Sequence, residues 1–169
     1  MRELELVGLR VEMPANTPVL VLRELDGERV LPIWIGAVEA TSIAVVEQGL
    51  VPQRPLTHDL LVHIIEATGH ELIAIAITAL HEGVFFAELE LSGGVTVSAR
   101  PSDAVALALR VGCPILCAEA VLDEAGVAEV DAEPEPDIGR EALSDDAAVE
   151  EFREFLDNIT PEDFEQDGP

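Results

Sequence analysis

His58 and Asp59 are the first residues whose types and spacing suggest chemistry. They follow the segment Pro52-Gln53-Arg54-Pro55, in which each proline fixes its own φ and keeps the preceding residue out of a helix. A helix that begins after such a segment presents free backbone N–H groups that bind phosphate. We therefore predict that Arg54 binds phosphate and that His58 and Asp59 take part in proton transfer or cation binding. The alternative is that Thr57 and Asp59 cap the helix while His58 bonds a neighbouring backbone group.

A second segment, Arg100-Pro101-Ser102-Asp103, has the same design. An arginine ends a predicted strand, and a helix begins beside it with Ser102 as the predicted N-cap. We predict that Arg100 and Ser102 bind substrate, whereas Asp103 and Glu39 hold a cation or orient water. The alternative is that Arg100 pairs with Asp59, Asp103 or Glu39 and clamps the helix starts together. A single helix carboxylate such as Glu39 is also commonly solvated or salt-bridged.

Other reactive or large side chains receive weaker assignments. His63 follows Asp59 by four residues, a spacing that can chelate a metal on a helix. Trp34 lies in an apolar, β-rich segment, which favours packing in the core or in a dimer over base stacking. Cys113 and Cys117 are predicted to be buried, reduced thiols, because a short strand holds them too far apart for a disulfide. The chain contains neither a GxGxxG nor a GxxxxGK[ST] motif, so no nucleotide cofactor is expected.

The elements that must position these residues form an α+β pattern of antiparallel or mixed sheets with three to four core helices. Apolar periodicity predicts two groups of three strands, each followed by a helix, and then a short strand and a short helix. The predicted strands are 3–13, 19–25, 29–35, 71–80, 84–91, 95–99 and 114–117. The predicted helices are 37–48, one that Thr57 caps and Gly69 ends, 101–111 and 118–125. In the second helix, Leu60, Leu61, Ile64 and Ile65 are predicted to form the apolar face.

The charge of the chain restricts how it can meet nucleic acid. It has 34 acidic residues against nine basic ones, all of them arginines, for a net charge of −25. The acids concentrate near the end: residues 127–144 are predicted to be a disordered acidic linker, and residues 145–169 an amphipathic helix and tail after the 1–126 domain. The 1–126 domain still carries 18 acids and seven arginines. Any phosphate site must therefore be local, built from a few arginines or a bound cation.

Three segments together resemble the bifunctional nuclease domain family. They are Leu31-Pro32-Ile33-Trp34-Ile35-Gly36 with Glu39-Ala40, Arg54-Pro55-Leu56-Thr57-His58-Asp59-Leu60, and Ala99-Arg100-Pro101-Ser102-Asp103-Ala104-Val105-Ala106-Leu107-Ala108. The likeness extends from about Glu3 to Gly126, and the stretch from Phe152 to Phe164 is similar to the tail of many bacterial members. It implies a wedge-shaped α+β monomer that forms a homodimer and acts on DNA and RNA. Many members carry an aspartate at the position of Ser98, so a carboxylate role there does not transfer.

The resemblance implies a nuclease that hydrolyses phosphodiesters of DNA or RNA, and the candidate site residues predict assistance by a divalent cation such as Mg²⁺ or Mn²⁺. The N-terminus alternates charged and apolar residues and shows no export signal, so a cytoplasmic protein that does not enter the membrane is expected. The alternative is a non-enzymatic dimeric binding or regulatory protein, in which the shared segments build the fold and the interface. The strong acidity favours that alternative.

Overall fold

The computed structural model describes residues 1–128 of the chain. The remainder of the predicted acidic linker and the predicted C-terminal helix lie outside the described residues. Within them, one sheet of eight strands carries four helices, which confirms the α+β prediction and its mixed sheet. In the described part of the chain, no helix combines the length and the apolar composition that crossing a bilayer requires.

The first three strands form the predicted meander. They are β1 (Arg2–Glu12), β2 (Thr17–Glu24) and β3 (Arg29–Trp34), each antiparallel to the next. A shift in register between Leu6 and Gly8 marks a β-bulge in β1. Strands β2 and β3 form a hairpin, and Gly27 in its turn does not have a positive φ. A Cβ at Gly27 would instead meet the Glu24 carboxylate, which bonds Arg29 across the turn.

The second half of the domain repeats the plan of strands followed by a helix. Strands β4 (Leu72–His81), β5 (Val84–Leu91) and β6 (Val95–Ala99) are antiparallel neighbours. The short strand β7 (Ile115–Cys117) lies between the two meanders, parallel to β4 and antiparallel to β1. The sheet order is therefore β6-β5-β4-β7-β1-β2-β3-β8, in which β8 (Val127–Ala128) pairs with β3. This last strand continues the sheet two residues past the predicted domain boundary at 126.

The helices are α1 (Ala37–Glu47), α2 (Thr57–Ala67), α3 (Pro101–Val111) and α4 (Glu119–Ala125). Helix α3 is the central one: it contacts β4 and β5 on one side and both α1 and α2 on the other. Its run Ala104–Ala108 is buried, since small alanines let neighbouring backbones approach closely. Fully buried large residues of the sheet and of α1 complete the core; they include Leu20, Leu22, Leu31, Ile43, Ile75 and Ile77.

The predicted apolar face of α2 is largely exposed to solvent. Leu60, Leu61 and Ile64 expose 52 %, 39 % and 48 % of their surface. Helix α2 packs mainly on α3, and its buried residue is His58, with Val62 packed against the core. Periodicity shows that a helix has an apolar stripe, but it does not show whether that stripe faces the core or a partner.

The predicted N-caps are wrong. Thr57 is the first residue of α2, and Leu56 occupies the cap position; the Leu56 N–H donates to Asp59 Oδ2 at 2.7 Å. In α3, Arg100 is the cap residue and Pro101 comes first in the helix, so Ser102 is the second helical residue and lies two positions after the cap. Proline suits the first helical position because its φ is already helical and it has no N–H to satisfy.

Candidate functional site

The three family-like segments meet where α1, α2 and α3 begin, although they are far apart in the sequence. A chain of polar contacts, which we call the helix junction, joins these helices through their first turns and through the far end of α3. It consists of Glu39, Ser42, His58, Asp59, Arg100, Asp103 and Arg110. Sequence reasoning identified five of these seven residues and missed Ser42 and Arg110.

Arg100 binds two carboxylates at the outer edge of the helix junction. Its Nε and Nη2 donate to Asp103 at 2.7 and 3.1 Å, and its Nη1 lies 2.8 Å from Glu39 Oε1. These bonds raise the pKa of Arg100, the Asp103 contact contributing most. Burial raises the pKa of Asp103, but Arg100 and His58 outweigh it, so the pKa lies below its usual value. The clamp that we considered as an alternative therefore exists for Asp103 and Glu39, but not for Asp59.

His58 lies at the centre of the helix junction, with its side chain only 11 % exposed. Its Nδ1 is 2.8 Å from Ser42 Oγ on α1, and its Nε2 is 3.2 Å from Asp103 Oδ1 on α3. The imidazole therefore bonds two side chains from other helices. The capping alternative required a bond to a neighbouring backbone group, which His58 does not make. All of these contacts are satisfied when the ring is neutral, with Nε2–H donating to Asp103 and the Ser42 hydroxyl donating to Nδ1.

Arg110 fills the inner end of the helix junction and is 7 % exposed at its side chain. Its Nε donates to Asp59 Oδ1 at 2.5 Å, and its two terminal nitrogens donate to the carbonyl and hydroxyl of Ser42 at 3.3 Å. Burial raises the pKa of Asp59, but the Leu56 N–H and Arg110 outweigh it, so the pKa is lowered overall. Asp59 is therefore a carboxylate at neutral pH and is held from two sides.

The opposite side of Asp59 faces an open groove of about 410 Å³, which we call the Arg54 groove. It is lined by Leu50, Val51, Pro52, Gln53, Arg54, Pro55, Asp59, Val62, His63 and Arg110. Arg54 and His63 are exposed, and His63 lies close enough to lower the pKa of Asp59. Among residues 1–128, Arg54 and Arg10 are the arginines with no carboxylate partner. Arg54 is thus the unpaired cation of this groove.

The seven predicted site residues do not all lie around one concavity, since only Arg54 and Asp59 line the Arg54 groove. Four of them belong to the helix junction and do not line the Arg54 groove: Glu39, His58, Arg100 and Asp103. Ser102 is 6 % exposed and sits in the first turn of α3, away from any surface that a substrate can reach directly. The reason is that adjacent residues at the start of a helix point about 100° apart, so His58 and Asp59 face different neighbours.

Ser42 and Arg110 left only faint signals in the sequence. Ser42 follows Glu39 by three residues and Arg110 follows Asp103 by seven, so each lies on the helix face of a predicted site residue.

Trp34 is not in the core: it is 53 % exposed, and its Nε1 donates to Glu12 at 2.6 Å. Both cysteines are free; Cys117 is buried, as predicted, whereas Cys113 is only half-buried.

Residues 20–130 match the sequence model of the bifunctional nuclease domain. Two relatives, both described as uncharacterized proteins, come from Mycobacterium tuberculosis strains CDC 1551 / Oshkosh and H37Rv. Each is 52 % identical to this chain over 164 residues, which cover 97 % of this chain and 98 % of the relative. The matched region contains all three helix starts and both sides of the Arg54 groove. The chain therefore belongs to the bifunctional nuclease domain family.

Proposed function

We propose that this protein hydrolyses phosphodiester bonds of nucleic acid in the Arg54 groove. The observation that carries the proposal is an unpaired, exposed arginine beside an exposed histidine and an ionised aspartate, in a chain of a nuclease-named family. An arginine without a carboxylate partner offers its full fork of donors to phosphate oxygens. Arg100 has already committed its donors to Glu39 and Asp103, so it is less suited to that task.

Each group on the groove has a role in this proposal. Arg54 binds the phosphate and stabilises the charge that develops on its oxygens. His63 takes a proton from the attacking water or gives one to the leaving oxygen, as its exposed position allows. Asp59 lies one helical turn before His63, whose charge helps to lower the pKa of the Asp59 carboxyl. The helix junction holds Asp59 and the start of α2 in place.

The described residues offer few grouped ligands for the predicted divalent cation. No three His, Cys, Asp or Glu side chains of residues 1–128 are grouped so that they could hold a metal ion. Glu39 and Asp103, which we predicted to hold a cation, both bind the guanidinium of Arg100. We therefore assign no catalytic step to a cation, and dependence on Mg²⁺ or Mn²⁺ stays a prediction for the assay.

The test is cleavage of labelled DNA and RNA by the full chain, with Mg²⁺, Mn²⁺ or EDTA. We expect His63→Ala and Arg54→Ala to lose activity while keeping the wild-type circular dichroism spectrum. Arg10→Ala is the matched control, since Arg10 lacks an ion pair but lies on β1 outside the groove. Equal activity in all four samples would identify a contaminant and overturn the proposal. If a folded Arg100→Ala variant alone lost cleavage activity, the catalytic site would lie at the helix junction and not in the Arg54 groove.

A second candidate function is a non-enzymatic dimer that binds or regulates another molecule. The exposed apolar stripe of α2, formed by Leu60, Leu61 and Ile64, favours it, because monomers rarely leave such a patch in water. We propose that this stripe forms the homodimer contact. Light scattering should show a dimer for the wild type and a monomer for Leu61→Glu; a dimer in both would exclude the stripe. A monomeric variant that still cleaves would favour the enzyme over this candidate.

We also propose that the protein works in the cytoplasm. Cys113 and Cys117 are both free, and a reducing compartment preserves free thiols. Fractionation of cells producing the full chain should place it with cytoplasmic markers. Recovery from the membrane or the medium would contradict this location.

A further inference from the structure

The Arg54 groove combines one free cation with an unusually apolar wall. Leu50 and Val51 leave 51 % and 92 % of their surface in water, and the rings of Pro52 and Pro55 extend the same wall. Arg54 lines the groove between the two prolines in sequence, and Asp59 and His63 line it from α2. A ligand that fits must therefore present an apolar face and an anionic group within one groove.

We infer that the groove takes one nucleotide unit of a single strand, so that single-stranded nucleic acid is the preferred substrate over duplex. This inference rests on the proposed function. A volume of about 410 Å³ falls in the range of small-ligand pockets, whereas a duplex cannot insert a base into it without unpairing. In a single strand the bases are splayed and their apolar faces are free to lie against side chains.

The charge of the domain leads to the same preference. Residues 1–126 carry 18 acids and seven arginines, and the arginines other than Arg54 and Arg10 are paired with carboxylates. A duplex presents phosphates twice as densely as a single strand, so repulsion from the acidic surface rises with little gain in contacts. Binding of a single phosphate by Arg54 depends mainly on the charges that line the groove, and less on the acidic surface around it.

The salt dependence of binding gives a quantitative check of this reasoning. One or two phosphate contacts to a single strand predict a slope of log K against log salt of about −0.7 to −1.4. Removing Arg54 should reduce the magnitude of that slope by about 0.7. Removing Arg10 takes the same charge from the domain but no contact from the groove, so its slope should equal that of the wild type.

The experiment measures anisotropy of a fluorescent oligonucleotide, single-stranded or annealed to its complement, with wild type, Arg54→Ala and Arg10→Ala. We expect the single strand to bind about tenfold tighter than the duplex, and Arg54→Ala alone to lose that preference. Equal affinity for both forms, or a duplex slope steeper than about −4, would overturn the inference. Cleavage of the same oligonucleotides is measured in a separate assay. Single-strand binding without cleavage would contradict only the proposed nuclease function. Equal cleavage of both forms would contradict only the single-strand preference.

Discussion

Replacing Arg110 by Met tests whether the helix junction holds the three helices together. Arg110 is 7 % exposed at its side chain, and methionine keeps most of its aliphatic length while removing the charge. Breaking a buried ion pair from one side costs about 3–5 kcal/mol. Asp59 remains 26 % exposed and keeps the Leu56 N–H, so its orphaned charge is partly solvated. We therefore expect a loss at the lower end, about 3 kcal/mol.

The assay is urea unfolding of the full chain, followed by circular dichroism at one protein concentration. With a slope of about 2 kcal/mol per molar urea, the midpoint should fall by about 1.5 M. The control is Arg23→Met, which removes an exposed pair with Glu5 on the sheet and should cost less than about 1 kcal/mol. In a double-mutant cycle, Asp59→Asn and Arg110→Met should couple by at least about 1 kcal/mol. A midpoint shift no larger than that of the control, or additive effects, would refute the reasoning.

Three further predictions concern acid, thiols and the core. The pKa values of Asp59 and Asp103 are lowered from 3.8, so their stabilisation is complete above that value and is lost as pH falls below it; urea midpoints measured against pH should drop there less for Asp59→Asn than for wild type. Burial raises the pKa of Cys117 to about 12, so iodoacetamide at mildly alkaline pH should spare it in the folded chain and label it after unfolding, as mass spectrometry can show; fast labelling of folded protein would contradict its burial. Ile77→Ala should cost about 2–5 kcal/mol in the same urea assay because the side chain is fully buried, and a cost under about 1 kcal/mol would mean that the site collapses around the cavity.

Most elements of the described domain could be predicted from local sequence. The helices at 37–47 and 101–111 were predicted within one residue of their ends, because a proline or glycine beside each boundary restricts the backbone locally. The meanders β1–β3 and β4–β6 followed from alternation and turn residues for the same reason. The predicted N-cap residues were wrong. Thr57 and Ser102 have side chains that suit an N-cap, but the prolines near them shift the residue at which each helix begins.

The candidate site was predictable only in part. Residue types pointed to His58, Asp59, Arg100 and Asp103, which do lie near one another. The partners of Asp59 and His58 were not predictable, because Arg110 is 51 residues from Asp59 and Ser42 is 16 residues from His58. Such contacts depend on how α1, α2 and α3 pack, and no local pattern reports that packing.

The sequence by itself determined the order of strands and helices, the acidic character of the chain and the family to which it belongs. These are local or compositional properties, set by periodicity, turn residues and charge. Tertiary structure alone decided that β7 inserts between the two meanders, that the α2 stripe faces water, and that His58 turns inward while Asp59 faces the Arg54 groove. The physical reason is that exposure and pairing follow from which surfaces meet in space, and neighbouring residues on one helix can meet entirely different surfaces.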